Sequence, residues 1–398
     1  MAKFRTGLAL AGGGPLGAIY EIGALIAIEE SLRGFSLTGC DVYVGVSSGA
    51  FLAAGLANRI TPQEMYHLFI ESSQADDPFE PEVLVRFARR EYVRRLIRAP
   101  RLIAKALSDH FAAPSNHRFL EALQPLSKAL PAGLFDSAPL SAYLKRLSDA
   151  PGRTDDFRKL KHKLYIIATA LDTAELVTFG AEGYDSVPIS RAVEASAALP
   201  GVFPPVKIGE RYYVDGALQK TLHASAALRE GVRLLLGINP IVPYKAPQDH
   251  SAKTASLVEG GLVPILSQTF RSLIYSRMKI GMERYRHEYP DADIVLFEPA
   301  REDREMFFAN VFSYSGRKRL CEHAYQQTRA HLLARAASLE PVLARHEMTV
   351  DLAVLKDTSR TLTRFSGGKA GPLSKAIKSL EAVLSRLEPL LASVQKRA

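Results

Sequence analysis

Cysteine is scarce. Only Cys40 and Cys321 occur, with no pairing pattern, which excludes a disulfide-stapled scaffold and a cysteine-rich zinc site and points to a reducing, cytoplasmic setting. Long apolar runs are missing as well. Residues 42–57 carry no charge, but these 16 residues include three glycines and two serines, too short and too interrupted to cross a bilayer. The opening Met1-Ala-Lys-Phe-Arg5 and the apolar residues after it have the outline of a signal peptide. Gly12-Gly13-Gly14-Pro15 breaks that run, which reads better as a buried strand entering a glycine loop. Repeats, low-complexity tracts and recognisable nucleic-acid motifs are absent too. These absences leave a chain that is soluble or peripheral to a membrane, with no nucleic-acid partner.

What is present is ample core material. With 398 residues, 47% of them apolar, the chain is long enough for a large α/β unit with an extension. Lys and Arg number 51 against 42 Asp and Glu, a net charge of +9 that favours anionic partners without choosing among them.

Strand and helix signals alternate at the start. Residues 6–11 form a short apolar run that stops at glycines, and residues 17–32 carry Ile19, Ile22, Leu25 and Ile26 at helical spacing up to a stop near Gly34. A second buried strand is predicted over 41–46, then a small-residue helix over 48–58 and a capping box at Thr61-Pro62-Gln63-Glu64. This order signals a parallel sheet covered by helices. Residues 61–163 read as mostly helical. Strands resume at 163–169 and 174–179, a helix follows Pro188, a hairpin turns at Gly209-Glu210, and further strands are expected at 233–238 and 294–297. From about residue 302 the pattern is helical, which divides the chain into a catalytic domain over 1–300 and a helical extension over 301–398.

Gly45-Val46-Ser47-Ser48-Gly49 is a Gly-x-Ser-x-Gly motif between a predicted strand and a predicted helix. A sharp strand-to-helix turn there lifts the Ser47 oxygen towards a cleft, and the helix N-terminus behind it favours developing negative charge. The plain alternative is an ordinary tight turn. Gly12-Gly13-Gly14 sits in the same kind of place and exposes backbone N–H groups that could hold an oxyanion. The Walker and dinucleotide patterns, which share that logic, are both lacking. Close helix–strand packing is the other use of such a loop.

A serine nucleophile needs a base. Of the ten histidines, none lies in a tight loop after a strand, and His223 is the nearest to one. Asp215, in Val214-Asp215-Gly216-Ala217, ends a predicted strand and faces a turn. Partial burial would raise its basicity enough to take the serine proton, while a helix N-cap is the competing role.

Gly12-Gly13-Gly14-x-x-Gly17, Gly45-x-Ser47-x-Gly49 and Asp215-Gly216-Ala217, with the stretch 195–204 ahead of the aspartate, together resemble the patatin-like phospholipase family over about residues 5–240. The resemblance implies a three-layer α/β/α sandwich with a mostly parallel central sheet, followed here by a helical C-terminal extension. It implies lipid acyl hydrolysis by a Ser47–Asp215 dyad that needs no metal or cofactor. The amides of Gly12, Gly13, Gly14 and Ser48 would then form the oxyanion hole, with Gly45 and Gly49 flanking the nucleophile elbow. The same dyad also permits acyl transfer to an alcohol or thiol, and a chain that kept the fold but lost turnover would be a lipid-binding scaffold. Two departures stand out. Leu16 replaces the Arg or Lys usual before the last loop glycine, and Lys220-Thr221-Leu222-His223 stands where Asn-Pro is frequent. Loss of that basic residue shifts the expected substrate from a phosphate head group towards a neutral acyl ester.

Residues 86–105 hold eight basic side chains (Arg86, Arg89, Arg90, Arg94, Arg95, Arg98, Arg101, Lys105) against Glu91 alone, interleaved with apolar residues. Such a helix can lie on an anionic membrane surface, and the alternative is a solvated face packed on the core. A second basic segment, 271–286, contains Tyr275, Met278, Ile280, Met282 and Tyr285. It reads as core packing or as part of a lipid-contacting surface. An apolar stripe over 372–395 could dock on the core or pair two copies, so the oligomeric state stays open.

Overall fold

In a computed structural model, residues 5–71, 132–246, 257–309 and 314–362 are described. The basic segment 86–105 and the stripe 372–395 lie outside them.

Strand β1 (Thr6–Leu10) enters a glycine turn and leads into helix α1 (Gly14–Ser31). A two-residue strand β2 (Leu32–Arg33) follows, then β3 (Val42–Val46), helix α2 (Ser48–Ala57) and the single turn α3 (Pro62–Met65). The expected capping box is present at α3. Thr61 accepts from the Glu64 amide, and Glu64 accepts from the Thr61 amide. Further along lie β4 (Lys163–Ala170), β5 (Leu176–Phe179), the helix Ile189–Ser196, and the hairpin β6 (Val206–Ile208) and β7 (Arg211–Asp215), which turns at Gly209. Then come β8 (Leu234–Ile238), the long helix Leu262–Glu288, β9 (Asp293–Phe297), the helix Tyr314–Ala344, and β10 (Thr349–Val350), which the sequence pattern had not signalled.

The main sheet has the order β6-β7-β4-β3-β1-β8-β9, with β5 also on β4. Pairings β4–β3, β3–β1, β1–β8 and β8–β9 are parallel, whereas β5 and β7 run antiparallel to β4. Alternation along the strands divides the core in two. Leu8, Leu10 and Tyr43 pack with α1, α2 and the helix 314–344. Ala9, Val42, Val44 and Val46 pack on the other side with Ala226, Ala227, Met278, Met282 and Tyr285. The result is the three-layer α/β/α arrangement with a mostly parallel sheet.

Residues after 300 share the first of these cores. Leu320, Cys321, Ala324 and Tyr325 are buried against α1, and β10 pairs antiparallel with β2. Both cysteines are free and buried. Among the described residues, no helix is long and apolar enough to cross a membrane.

One feature of the sheet fixes the site. The first five residues of β4 pair with β3, ending at Val46 opposite Ile167. Its last three pair with β7, and Asp215 stands opposite Ala168. Two strand ends from distant parts of the sequence therefore converge on consecutive residues of β4.

Candidate active site

Ser47 follows β3 directly and has φ +53°, a conformation that L residues seldom adopt and that a sharp turn into α2 requires. The flanking glycines are there because the turn is crowded. A Cβ on Gly45 would lie 2.4 Å from the Ala50 Cα, and one on Gly49 would lie 2.4 Å from the Leu10 carbonyl oxygen. The strain is held by a specific contact. The Ser47 amide donates to Ser196 Oγ at 2.8 Å, and that hydroxyl donates to the Ile167 carbonyl at 2.6 Å. Ser196 was legible only as part of the 195–204 stretch, without a role of its own. Nothing in local sequence links a serine amide to a hydroxyl 149 positions away.

Asp215 is 2% exposed. Its Oδ1 accepts from the Ala217 amide at 2.8 Å, and the Ser47 hydroxyl lies close enough to help hold its negative charge. The cap and the serine contact therefore coexist on one side chain. Burial pushes the carboxyl up to about 6, against the opposing pull of the nearby Ser47 hydroxyl and the Ala217 amide. The Asp215 amide donates to the Ala198 carbonyl at 3.0 Å, so the 195–204 stretch supports both residues. Gly216 lies where a Cβ would meet the Ile167 carbonyl at 2.7 Å.

The glycine loop closes the third side. A Cβ on Gly12 would come within 2.9 Å of the Ser47 Cβ and 3.0 Å of the Ala217 Cβ, so all three motifs touch at this point. Gly13 is packed against Pro240 and Gly17, while Gly14 is exposed and has φ +61°. Among the described residues, the amides of Gly12, Gly13, Gly14 and Ser48 have no hydrogen-bond acceptor. These donors, two of them at the start of helices, face no competing partner and can take an anion. Leu16 is half-buried against the core.

Among the described residues, no histidine hydrogen-bonds to Ser47 or Asp215. His223 is 6% exposed, its Nδ1 is buried without a partner, and burial pushes its imidazole down to about 3. Chemically, the arrangement offers a hydroxyl on a strained turn near a buried carboxylate of raised basicity, with free amides beside them.

Comparison with known proteins bears on this geometry. A family model described as patatin-like phospholipase matches residues 8–228, more than half of the chain. No curated protein sequence matches. Solved structures that resemble the chain include VipD from Legionella pneumophila, at 16% identity and a TM-score of 0.37, covering 83% of this chain and 67% of that one. Another is the heterodimeric complex ExoU–SpcU from the type III secretion system of Pseudomonas aeruginosa, at 17% identity and a TM-score of 0.27, covering 90% and 67%.

Proposed function

The chain belongs to the patatin-like phospholipase family, and from that membership we propose that it cleaves carboxylic esters of lipids through an acyl-Ser47 intermediate. Asp215 takes the Ser47 proton as the hydroxyl oxygen attacks the ester carbonyl. The carbonyl oxygen, now negative, is held by the free amides of Gly12, Gly13, Gly14 and Ser48. Asp215 returns its proton to the departing alcohol as the tetrahedral intermediate collapses. A water then gives a proton to Asp215 as it attacks the acyl-serine, and Asp215 passes that proton to the Ser47 oxygen as the ester bond breaks and the carboxylic acid leaves.

The observation that carries this reading is the convergence of the Ser47 turn and the buried Asp215 on adjacent residues of β4, beside unpaired backbone amides. Leu16, packed on the core next to the loop, gives that rim no cation for a phosphate and supports a neutral acyl ester as substrate. Ser47→Ala and Asp215→Asn should each lower kcat for a short-chain nitrophenyl ester by about 10³-fold or more, with circular dichroism unchanged. Full activity in either folded variant would remove that residue from the scheme. A fluorophosphonate probe should label the parent once, at Ser47, and absence of labelling would favour a binding scaffold.

A further inference from the structure

The helix Leu262–Glu288 has two apolar faces, and among the described residues only one of them is packed into a core. At about 100° per residue, Met278, Met282 and Tyr285 share the side that packs into the second core, where Arg271 also reaches the Val242 carbonyl. Leu262, Leu266, Leu273 and Ile280 fall within about 40° of one another on the opposite side, with Phe270 beside them. These five are 45–69% exposed. The outer face of a surface helix is ordinarily polar, so a row of large exposed apolar side chains marks a contact surface.

Its position is specific. The 27 residues span about 40 Å, whereas the five residues of neighbouring β8 span about 17 Å. The helix ends at the edge of the sheet where β9 begins, with Asp293 paired to Leu234. Its excess length therefore projects past the opposite edge, where β1 and β3 deliver the glycine loop and Ser47. The contacts agree. Gln268 pairs both ways with the Tyr244 backbone, at 2.9 and 2.7 Å, just beyond Pro240, which packs on Gly13 and Gly17. No residue described between 262 and 277 is buried. Arg277 donates to the Leu218 carbonyl at 3.1 Å, three residues past Asp215, and ties the helix to the base turn. Phe308, 45% exposed and set edge-on to Tyr244 at 5.5 Å, adds to the apolar surface beside it.

Charge identifies the partner. Residues 262–282 contain Arg271, Arg277 and Lys279 and no acidic residue. Arg271 faces the core, so Arg277 and Lys279 are the cations of the exposed side, with Glu259 and Glu283 beyond the ends of the stripe. An apolar face with cations along it is complementary to acyl chains beneath anionic head groups. We infer that the outer face of this helix, through Leu262, Leu266, Phe270 and Leu273, inserts into the interface of an anionic lipid bilayer and brings the Ser47 cleft to its substrate. The inference rests on the lipid-hydrolase reading and names the surface on which that site works.

The test uses the full chain and the variant Leu266→Glu/Phe270→Glu, sedimented with phosphatidylcholine vesicles with and without phosphatidylglycerol. The parent should bind the anionic vesicles more strongly, and the variant should lose at least about tenfold in partitioning. Its melting temperature and its rate on a water-soluble nitrophenyl ester should stay unchanged, since neither side chain touches the site. Equal binding by variant and parent overturns the inference. So does a variant whose native mass changes while vesicle binding persists, because the stripe would then be covered by protein. If neither protein hydrolyses any ester but binding still depends on the stripe, the surface stands and the hydrolase reading falls.

Discussion

At the scale of single residues, the chemistry depends on where a carboxylate is placed. In water an aspartate is a weak base. Burial raises Asp215 from the ordinary 3.8 to about 6, so it remains ionised at neutral pH yet accepts a proton more readily. If Asp215 must be ionised to accept the Ser47 proton, log(kcat/KM) should rise with unit slope up to about pH 6 and then level off. Undiminished turnover at pH 4 would remove Asp215 as the base. The same shift has a stability consequence. The folded chain holds this proton more tightly than the unfolded chain, so the stabilisation is complete below pH 3.8 and is lost as pH rises through about 6. Relative to the parent, Asp215→Asn should therefore gain stability between pH 4 and pH 6, measured by urea unfolding at each pH.

At the scale of elements, three turns are pressed together, and glycine is what allows it. The strand ends of β1, β3 and β7 meet where Gly12 lies against Ser47 and Ala217. Both neighbouring atoms are Cβ atoms fixed to backbone, so a methyl group on Gly12 has no flexible side chain to displace. Gly12→Ala should push Ser47 out of line and cost about 10²-fold in kcat, with little change in melting temperature. An active Gly12→Ala enzyme would show that the three turns are less tightly joined than their contacts indicate. The elements themselves were largely legible. Glycine-bounded apolar runs marked β1 and β3, and the Gly209 turn marked the hairpin. The two-residue strands β2 and β10 were not, because so short a pairing leaves no alternation to read. The long helix 262–288 showed only as a basic segment, since apolar residues on two faces blur the helical period.

At the scale of the whole molecule, the C-terminal half of the structure supports the N-terminal motifs. Helix 314–344 crosses α1 at Gly23, where a Cβ would lie 2.4 Å from the Cys321 carbonyl oxygen and 2.9 Å from the Tyr325 amide. The crossing is reinforced by Tyr325, whose hydroxyl donates to Glu30 Oε2 at 2.7 Å. Replacing an ordinary helical glycine by alanine stabilises a protein by up to about 1 kcal/mol. Here the sign should reverse, because the obstructing atoms are backbone. Gly23→Ala should lower the melting temperature by several degrees, equivalent to about 1–3 kcal/mol of overpacking. A rise would mean that the two helices do not approach this closely.

Composition and local pattern alone determined the chemical parts: a serine between glycines at a strand-to-helix turn, an aspartate before Gly-Ala, and a triple glycine ahead of a helix. Each is a local property, set by backbone freedom and by which residues tolerate a tight turn. Tertiary structure decided whether those parts meet. That depended on β4 passing from β3 to β7 between Ile167 and Ala168, on Ser196 holding the Ser47 amide, and on burial raising Asp215. Register between distant strands and exclusion of water from a side chain are properties of the packed whole, and no local stretch of sequence encodes them.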